Sequence, residues 1–275
     1  MKRDVGKTIG IIGCGNMGSA LIFGMLRSHF RKPAELIAWD SDRGKLKMAI
    51  QTYKVRAARS NADLSFKSHV ILLAVKPQQM KDVLQEVGPH LGHRPLLISI
   101  AAGISTKWIR QQIGDAAPVI RVMPNTPALV EKGISAIAEI TVDGQTVPDM
   151  YLRVAEMILR SVGEVVRVPE KLMDAVTAIS GSGPAYFFFL MERMVETGVY
   201  LGLPRKIATQ LVLKTSEGAA HLARSGGDPK LLRERVTSRG GTTEAAFREF
   251  QRGHLDQILQ RGIRAAARRA KELTP

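Results

Sequence analysis

The chain has 275 residues, with 40 lysines and arginines against 25 acidic residues and a formal net charge of +15. That length accommodates two domains and a substantial core; no apolar run approaches the ~20 residues a bilayer-spanning helix needs, and the single cysteine, Cys14, excludes an intrachain disulfide. The basic balance raises nucleic-acid binding, but aromatics are only 5% and neither zinc-finger spacing nor a basic zipper occurs, so no nucleic-acid partner is expected.

In chain order, Met1-Lys2-Arg3-Asp4 lacks the apolar core of a signal peptide, which gives the expectation of a cytoplasmic protein. The apolar run from Ile9 then feeds into Gly13-Cys14-Gly15-Asn16-Met17-Gly18, a G-x-G-x-x-G turn that opens directly into a helical pattern. In such a turn Gly13 permits the tight reversal, Gly15 lets backbone approach a pyrophosphate, and Gly18 lets helix and strand pack closely. The helix start adds unpaired N–H groups and partial positive charge. Cys14, inside the turn, reads as a small space-filler. A second apolar run ends in Asp40, 22 positions past Gly18, close to the ~20-residue offset of a carboxylate that binds the adenosine ribose. Ser41 and Arg43 beside it would instead suit a 2′-phosphate, which Asp40 would repel. The residues therefore point to a nicotinamide dinucleotide and leave NADPH or NADH open, with NADPH ahead. One of Asp40, Ser41 and Asp42 is expected to cap the following helix.

A helix over 43–52, a short strand over 54–57 and a cap and turn at Ser60-Asn61-Ala62-Asp63 follow. The run 70–75 is apolar throughout, as a buried parallel strand should be, and Lys76-Pro77 breaks it. A helix, a buried strand over 95–100, Ala101-Ala102-Gly103, a helix over Trp108 and Ile109, and a strand over 118–123 complete the alternation. Strand and helix alternating at this spacing mean a doubly wound parallel sheet of the Rossmann type. Three further loops, Lys76-Pro77-Gln78, Ala101-Ala102-Gly103 and Pro124-Asn125-Thr126-Pro127, then share the glycine turn's sheet edge, where ligands of such sheets bind. Past Val166 the pattern turns helical, so a dinucleotide-binding domain is expected over 1–164 and an all-α domain over 165–275.

Within that second half, a helix over 171–179 is read as stopped by Ser180-Gly181-Ser182-Gly183-Pro184. Pro184 suits the first turn of a long helix carrying Tyr186, Phe187, Phe188, Phe189, Leu190 and Met194, apolar nearly all round and so asking for burial on both sides. A homodimer through these helices is expected. Pro204 opens another helix, ended by Ser225-Gly226-Gly227, and Asp228-Pro229 starts the next. The chain then reads Thr237-Ser238-Arg239-Gly240-Gly241-Thr242-Thr243 before a further helix, an anion nest with extra hydroxyl donors. Arg261, Arg264, Arg268, Arg269 and Lys271 read as the solvated face of a terminal helix. The six histidines lie in no ligand-like spacing, so no metal site is expected.

These motifs, with Ala74-Val75-Lys76-Pro77, Ser99-Ile100-Ala101-Ala102-Gly103, Met123-Pro124-Asn125-Thr126-Pro127 and Ser180-Gly181-Ser182-Gly183-Pro184-Ala185-Tyr186, resemble pyrroline-5-carboxylate reductase in order and spacing. The resemblance implies hydride transfer from a nicotinamide to the C=N carbon of 1-pyrroline-5-carboxylate, the last step of proline biosynthesis. It implies a cofactor site of Gly13, Gly15, Asn16, Met17, Gly18, Asp40, Ser41, Arg43, Asn61, Ala74, Lys76, Pro77, Ala102 and Gly103. It also implies a substrate site of Asn125, Ser238, Gly240, Gly241, Thr242 and Thr243, with Thr243 as the candidate to bond the ring nitrogen and relay a proton. Family active sites form where one subunit's helices meet the other's cofactor domain, and dimers can join into larger rings. Arg239 departs from the family, which usually has proline there. The rival readings are another imine or β-hydroxyacid reductase, for which Lys171 is the candidate lysine, and an NAD(P)-sensing binding protein.

Overall fold

The computed structural model describes residues 8–139, 141–142 and 145–273. Strand β1 (Ile9–Ile12) and helix α1 (Asn16–Arg27) flank the glycine turn, followed by β2 (Leu36–Trp39), α2 (Arg43–Tyr53), β3 (Arg56–Ala57), α3 (Asn61–Lys67), β4 (Val70–Leu73), α4 (Met80–Val87), β5 (Leu96–Ser99), α5 (Thr106–Ile113) and β6 (Val119–Met123). Next come β7 (Gly133–Glu139), an antiparallel pair of β8 (Thr141–Val142) and β9 (Gln145–Thr146), α6 (Asp149–Arg160) and β10 (Gly163–Pro169). The rest is helical: α7 (Met173–Val176), α8 (Gly183–Tyr200), α9 (Arg205–Arg224), α10 (Pro229–Arg235), α11 (Thr242–Arg252) and α12 (Leu255–Glu272).

Eight strands form one sheet in the order β10-β7-β6-β5-β4-β1-β2-β3. From β6 to β3 all pairings are parallel, and β1 lies between β4 and β2, with Ile9 opposite both Val70 and Leu36. The chain therefore winds outward from β1 in both directions, and the switch point lies beside the glycine turn. Two strands of this sheet go unanticipated in the sequence reading: β7 runs antiparallel to β6, and β10 pairs parallel with β7.

Side-chain alternation along the strands builds two cores. Ile9, Ile11, Leu36, Ala38, Val70 and Leu72 pack with Leu21, Ile22 and Met25 of α1 and with Ile158 and Leu159 of α6. Ile12, Ile37, Ile71, Leu73 and Leu97 pack on the other side with Leu64, Leu84 and Ile109. Covered on both sides, the central strands have no reason to alternate polar with apolar residues, which is why they read as continuous apolar runs.

One local reading is borne out and two are amended. Asp42 is the residue that caps α2, accepting the N–H groups of Gly44 at 2.9 Å and Lys45 at 3.2 Å. Ser60 caps a whole helix, α3, rather than a turn, because its hydroxyl accepts the Asp63 N–H at 3.0 Å and Leu64 is fully buried beneath. The chain does not stop at Ser180: α7 widens into a π turn over Thr177–Gly181, closed by Ser182 N–H to Thr177 C=O at 2.8 Å.

Contacts group the chain into two units, one ending at Ser182 and taking up the chain again from Ala266, the other Gly183–Ala265. Residues 165–182 thus go with the sheet, because β10 and the turns after it pack there, although in composition they resemble the helices α8 to α11. Within the second unit α8 lies against α9 with Ala208 and Val212 buried, while Phe187, Phe188 and Phe189 are 66%, 62% and 62% exposed in the single chain.

Candidate active site

The glycine turn is built by contact as well as conformation. Gly13 has φ +102°, and a Cβ there would lie 2.6 Å from the Ala74 carbonyl oxygen. At Gly18 a Cβ would come within 2.0 Å of the Gly13 carbonyl oxygen, so helix and strand meet at backbone distance. Gly15 differs: nothing lies within 4 Å of its Cβ direction. It is the N-cap of α1 and makes no side-chain cap, so the first N–H groups of α1 face a space that only a residue without a side chain leaves clear.

Asp40 closes this turn from β2. One carboxylate oxygen accepts the Cys14 N–H at 2.7 Å, and the other accepts the Asp42 N–H at 2.8 Å. Cys14 itself is buried, and its thiol is pushed up to about 12, first by burial and then by the Asp40 charge. A thiol so protonated is no nucleophile, in keeping with its reading as a space-filler.

A cleft runs along the sheet edge in two lobes that share Gly15, Lys45, Ala74, Val75 and Lys76. The lobe toward β2 takes in Asp40, Ser41, Asn61, Asp82 and Glu86; the lobe toward β6 takes in Asn16, Met17, Pro77, Ala101, Ala102, Met123, Asn125 and Gly181. A carboxylate after β2 marks the adenosine half of a dinucleotide, so the lobe toward β6 is the one that would take a nicotinamide. The residues fit such a cofactor on two observations. The one is the uncapped helix start over Gly15. The other is Asn61: it is 7% exposed, its Nδ2 donates to Glu86 at 2.8 Å, and its Oδ1 is buried without a partner, an acceptor held ready in the adenosine lobe.

Not every expected residue reaches the cleft wall. Gly18 lies behind the turn, Arg43 stacks over the Trp39 ring at 5.2 Å, and Gly103, at φ +77°, sits beneath Ala270 and Leu273. Asn125 is on the wall, but its ends are engaged: Oδ1 accepts the Ile134 N–H at 2.9 Å and Nδ2 donates to Ser180 Oγ at 3.3 Å. Conversely Lys45, Asp82 and Glu86 reach the cleft without having been singled out, and Gly181 reaches it from a motif that was not assigned to the site. Lys45, in the first turn of the helix that Asp42 caps, carried a local signal; Glu86 and Gly181 are brought in by packing alone.

In the second unit, Ser238 to Gly241 form a turn in which the Gly241 N–H reaches the Ser238 carbonyl at 3.0 Å and Gly240 takes φ +74°. A positive φ at the third position is the type II pattern, whose second position, here Arg239, favours proline. The turn leads into α11, whose first N–H groups belong to Thr242, Thr243 and Glu244. Glu244 folds back on the turn, its carboxylate accepting the Gly240 N–H and the Arg248 guanidinium, each at 2.8 Å, and its pKa is lowered by those two bonds, Gly240 first. The nest already binds a carboxylate, its own.

Comparison with known proteins bears directly on this arrangement. Residues 170–273 match the family model for pyrroline-5-carboxylate reductase dimerisation, and residues 8–103 match that for coenzyme F420-dependent NADP oxidoreductases. Pyrroline-5-carboxylate reductase of Synechocystis sp. is 40% identical, covering 96% of this chain and 97% of its own; that of Pseudomonas aeruginosa is 39% identical over 96% of both. The chain belongs to the pyrroline-5-carboxylate reductase family. Its fold is similar to that of the Plasmodium falciparum pyrroline carboxylate reductase with NADP bound, at TM-score 0.87 and 28% identity over 98% of both chains. The family match from residue 170 includes α8 with its exposed phenylalanines. Among the described residues no helix is long and apolar enough to cross a membrane.

Proposed function

We infer that this chain reduces 1-pyrroline-5-carboxylate to L-proline with NAD(P)H, the closing step of proline biosynthesis. The observation that carries this reading is family membership along nearly the whole chain, in a molecule whose glycine turn opens onto a cleft long enough for both halves of a dinucleotide. The cofactor, when bound, supplies a hydride to the imine carbon. The imine nitrogen carries its own proton in the protonated substrate, so the residues need only orient two reactants, which is worth up to ~7–11 kcal/mol of a bimolecular barrier.

Gly15, Asn16 and Met17 hold the pyrophosphate at the start of α1. Asp40, Ser41, Arg43 and Asn61 serve the adenosine end, Ala74, Lys76 and Pro77 the middle, and Ala102 and Asn125 the nicotinamide end. Both oxygens of Asp40 being bonded to backbone N–H groups, its charge is partly offset; Ser41 and Lys45 line the lobe, and Arg43, stacked on the Trp39 ring beside them, adds positive charge for a 2′-phosphate, so NADPH is placed ahead of NADH. Ser238, Gly240, Gly241, Thr242 and Thr243 grip the substrate carboxylate, which displaces Glu244 from the Gly240 N–H. Thr243 bonds the ring nitrogen. The enzyme works as a cytoplasmic homodimer through its C-terminal helices, compatible with larger rings of dimers.

The test is loss of absorbance at 340 nm with 1-pyrroline-5-carboxylate and either NADPH or NADH, with proline identified as product. Turnover with NADPH faster than with NADH is expected; no turnover with either, in a protein that binds the cofactor, overturns the reading. Thr243→Ala should lower kcat/KM by about 10²-fold, as for a lost hydrogen bond that orients the ring nitrogen, and a loss under about threefold would remove Thr243 from that role.

A further inference from the structure

β6 is a buried strand of Val119, Ile120, Arg121, Val122 and Met123, and Arg121 within it is 5% exposed. A guanidinium stays charged at any ordinary pH, so its burial is unfavourable unless it is paired. The partners come from beyond β10. Nη2 of Arg121 lies 3.1 Å from Asp174 Oδ1, and Nη1 lies 3.8 Å from Glu170 Oε1. Glu170 in turn accepts the Thr106 N–H at 2.8 Å and the Thr106 hydroxyl at 2.7 Å, at the positive end of α5. Replacing a buried ion pair whole by apolar residues is often neutral or stabilising, so burial alone does not call for these ions. What the ions add is direction, because they tie three segments together at fixed distances.

Each of those segments ends in a wall of the nicotinamide lobe. Thr106 follows the loop that carries Ala101 and Ala102; Arg121 precedes Met123 and Asn125; Asp174 leads into the π turn that carries Gly181. Ser180 of the π turn meets Asn125 at 3.3 Å, closing a ring that runs back through β6 to Arg121. None of Arg121, Glu170 or Asp174 lines the cleft. A π turn is uncommon and occurs frequently at functional sites, and here it is anchored at one end by an ion pair and at the other by the Asn125 amide.

We propose that Arg121, Glu170 and Asp174 are positioning residues that hold the walls of the nicotinamide lobe in register for hydride transfer. The proposal rests on the reductase reading above. It separates two properties: cofactor affinity, anchored at the glycine turn and the adenosine lobe, and the rate of the chemical step, set where the walls stand.

The experiment compares Arg121→Met, Glu170→Ala and Glu170→Gln with the wild-type enzyme, measuring NADPH dissociation constant, kcat and the isotope effect on kcat with NADPH deuterated at the transferring position. Arg121→Met and Glu170→Ala should lower kcat by about 10²-fold, the scale of an ångström-level misplacement, while the NADPH dissociation constant moves by less than about threefold. The isotope effect should rise, because hydride transfer becomes the slow step. Glu170→Gln keeps an acceptor for Thr106 and should recover at least about fivefold over Glu170→Ala. Folded variants with kcat within about threefold of wild type, an unchanged isotope effect, or equal losses of affinity and rate each overturn the proposal. If Arg121→Met does not fold, the Glu170 pair decides, since that side chain is already 23% exposed. A wild-type enzyme that does not reduce the imine overturns the reductase reading itself; an active wild type with unaffected variants overturns only the positioning role.

Discussion

At the scale of single residues, neighbours with similar sequence signals do different work. Gly15 and Gly18 belong to one motif, yet a methyl at Gly18 would meet backbone at 2.0 Å whereas one at Gly15 would meet nothing within 4 Å. Gly18→Ala should therefore cost about 1–3 kcal/mol in denaturant unfolding, as overpacking does. Gly15→Ala should leave stability unchanged within about 0.5 kcal/mol and weaken NADPH binding by at least tenfold, about 1.4 kcal/mol. Equal effects of the two on stability would contradict this division. Cys14 lends itself to a pH test. The unfolded thiol ionises near 9.0 and the native one only near 12, so above pH 9 the unfolded chain binds fewer protons than the native one. The contribution is intact below that pH and is lost as pH rises from there toward 12, by about 1.4 kcal/mol per unit. Wild type should thus lose stability more steeply than Cys14→Ala between pH 9 and about 10.5; parallel profiles would show that the thiol ionises freely.

At the scale of elements, the strands and helices around the dinucleotide cleft were legible because each carries its own pattern: continuous apolar runs for β1, β4 and β5, a glycine or proline break after them, and a helical period next, capped by a side chain only at Ser105 before α5. The π turn was not legible. Residues 171–179 have an ordinary helical pattern, whereas the partners of the widened turn, Asn125 at Ser180 and Met123 at Gly181, come from elsewhere in the chain. The turn before α11 falls between these cases. Its two glycines announce a reversal, but that Arg239 occupies the second position of a type II turn, where proline fits, emerges only from the bond between Gly241 and Ser238. Arg239→Pro should accordingly raise stability by about 0.4–1 kcal/mol through the unfolded chain, read as a higher denaturant midpoint. A lower midpoint would mean that Arg239 makes a needed contact.

At the scale of the whole molecule, the second unit buries little of its own apolar surface, and α8 carries a cluster of phenylalanines more than half exposed. A patch of that kind on a single chain marks a protein interface, and the dimerisation family match covers it. Light scattering at micromolar concentration should give twice the 30.1 kDa chain mass or a multiple of it; a monomer would leave the phenylalanines without a partner. The sequence by itself determined the doubly wound half, the glycine turn, the acid after β2 and the Gly240-Gly241 loop, because each of these is written in residues close together along the chain. Only the tertiary structure decided that β7 and β10 extend the sheet, that Glu86 holds Asn61 in the adenosine lobe, that Gly103 lies beneath α12, and that Arg121 finds Asp174 and Glu170. Asn61 and Glu86 stand 25 positions apart and Arg121 and Asp174 stand 53 apart, and no local pattern records a pairing that packing of the whole sheet brings about.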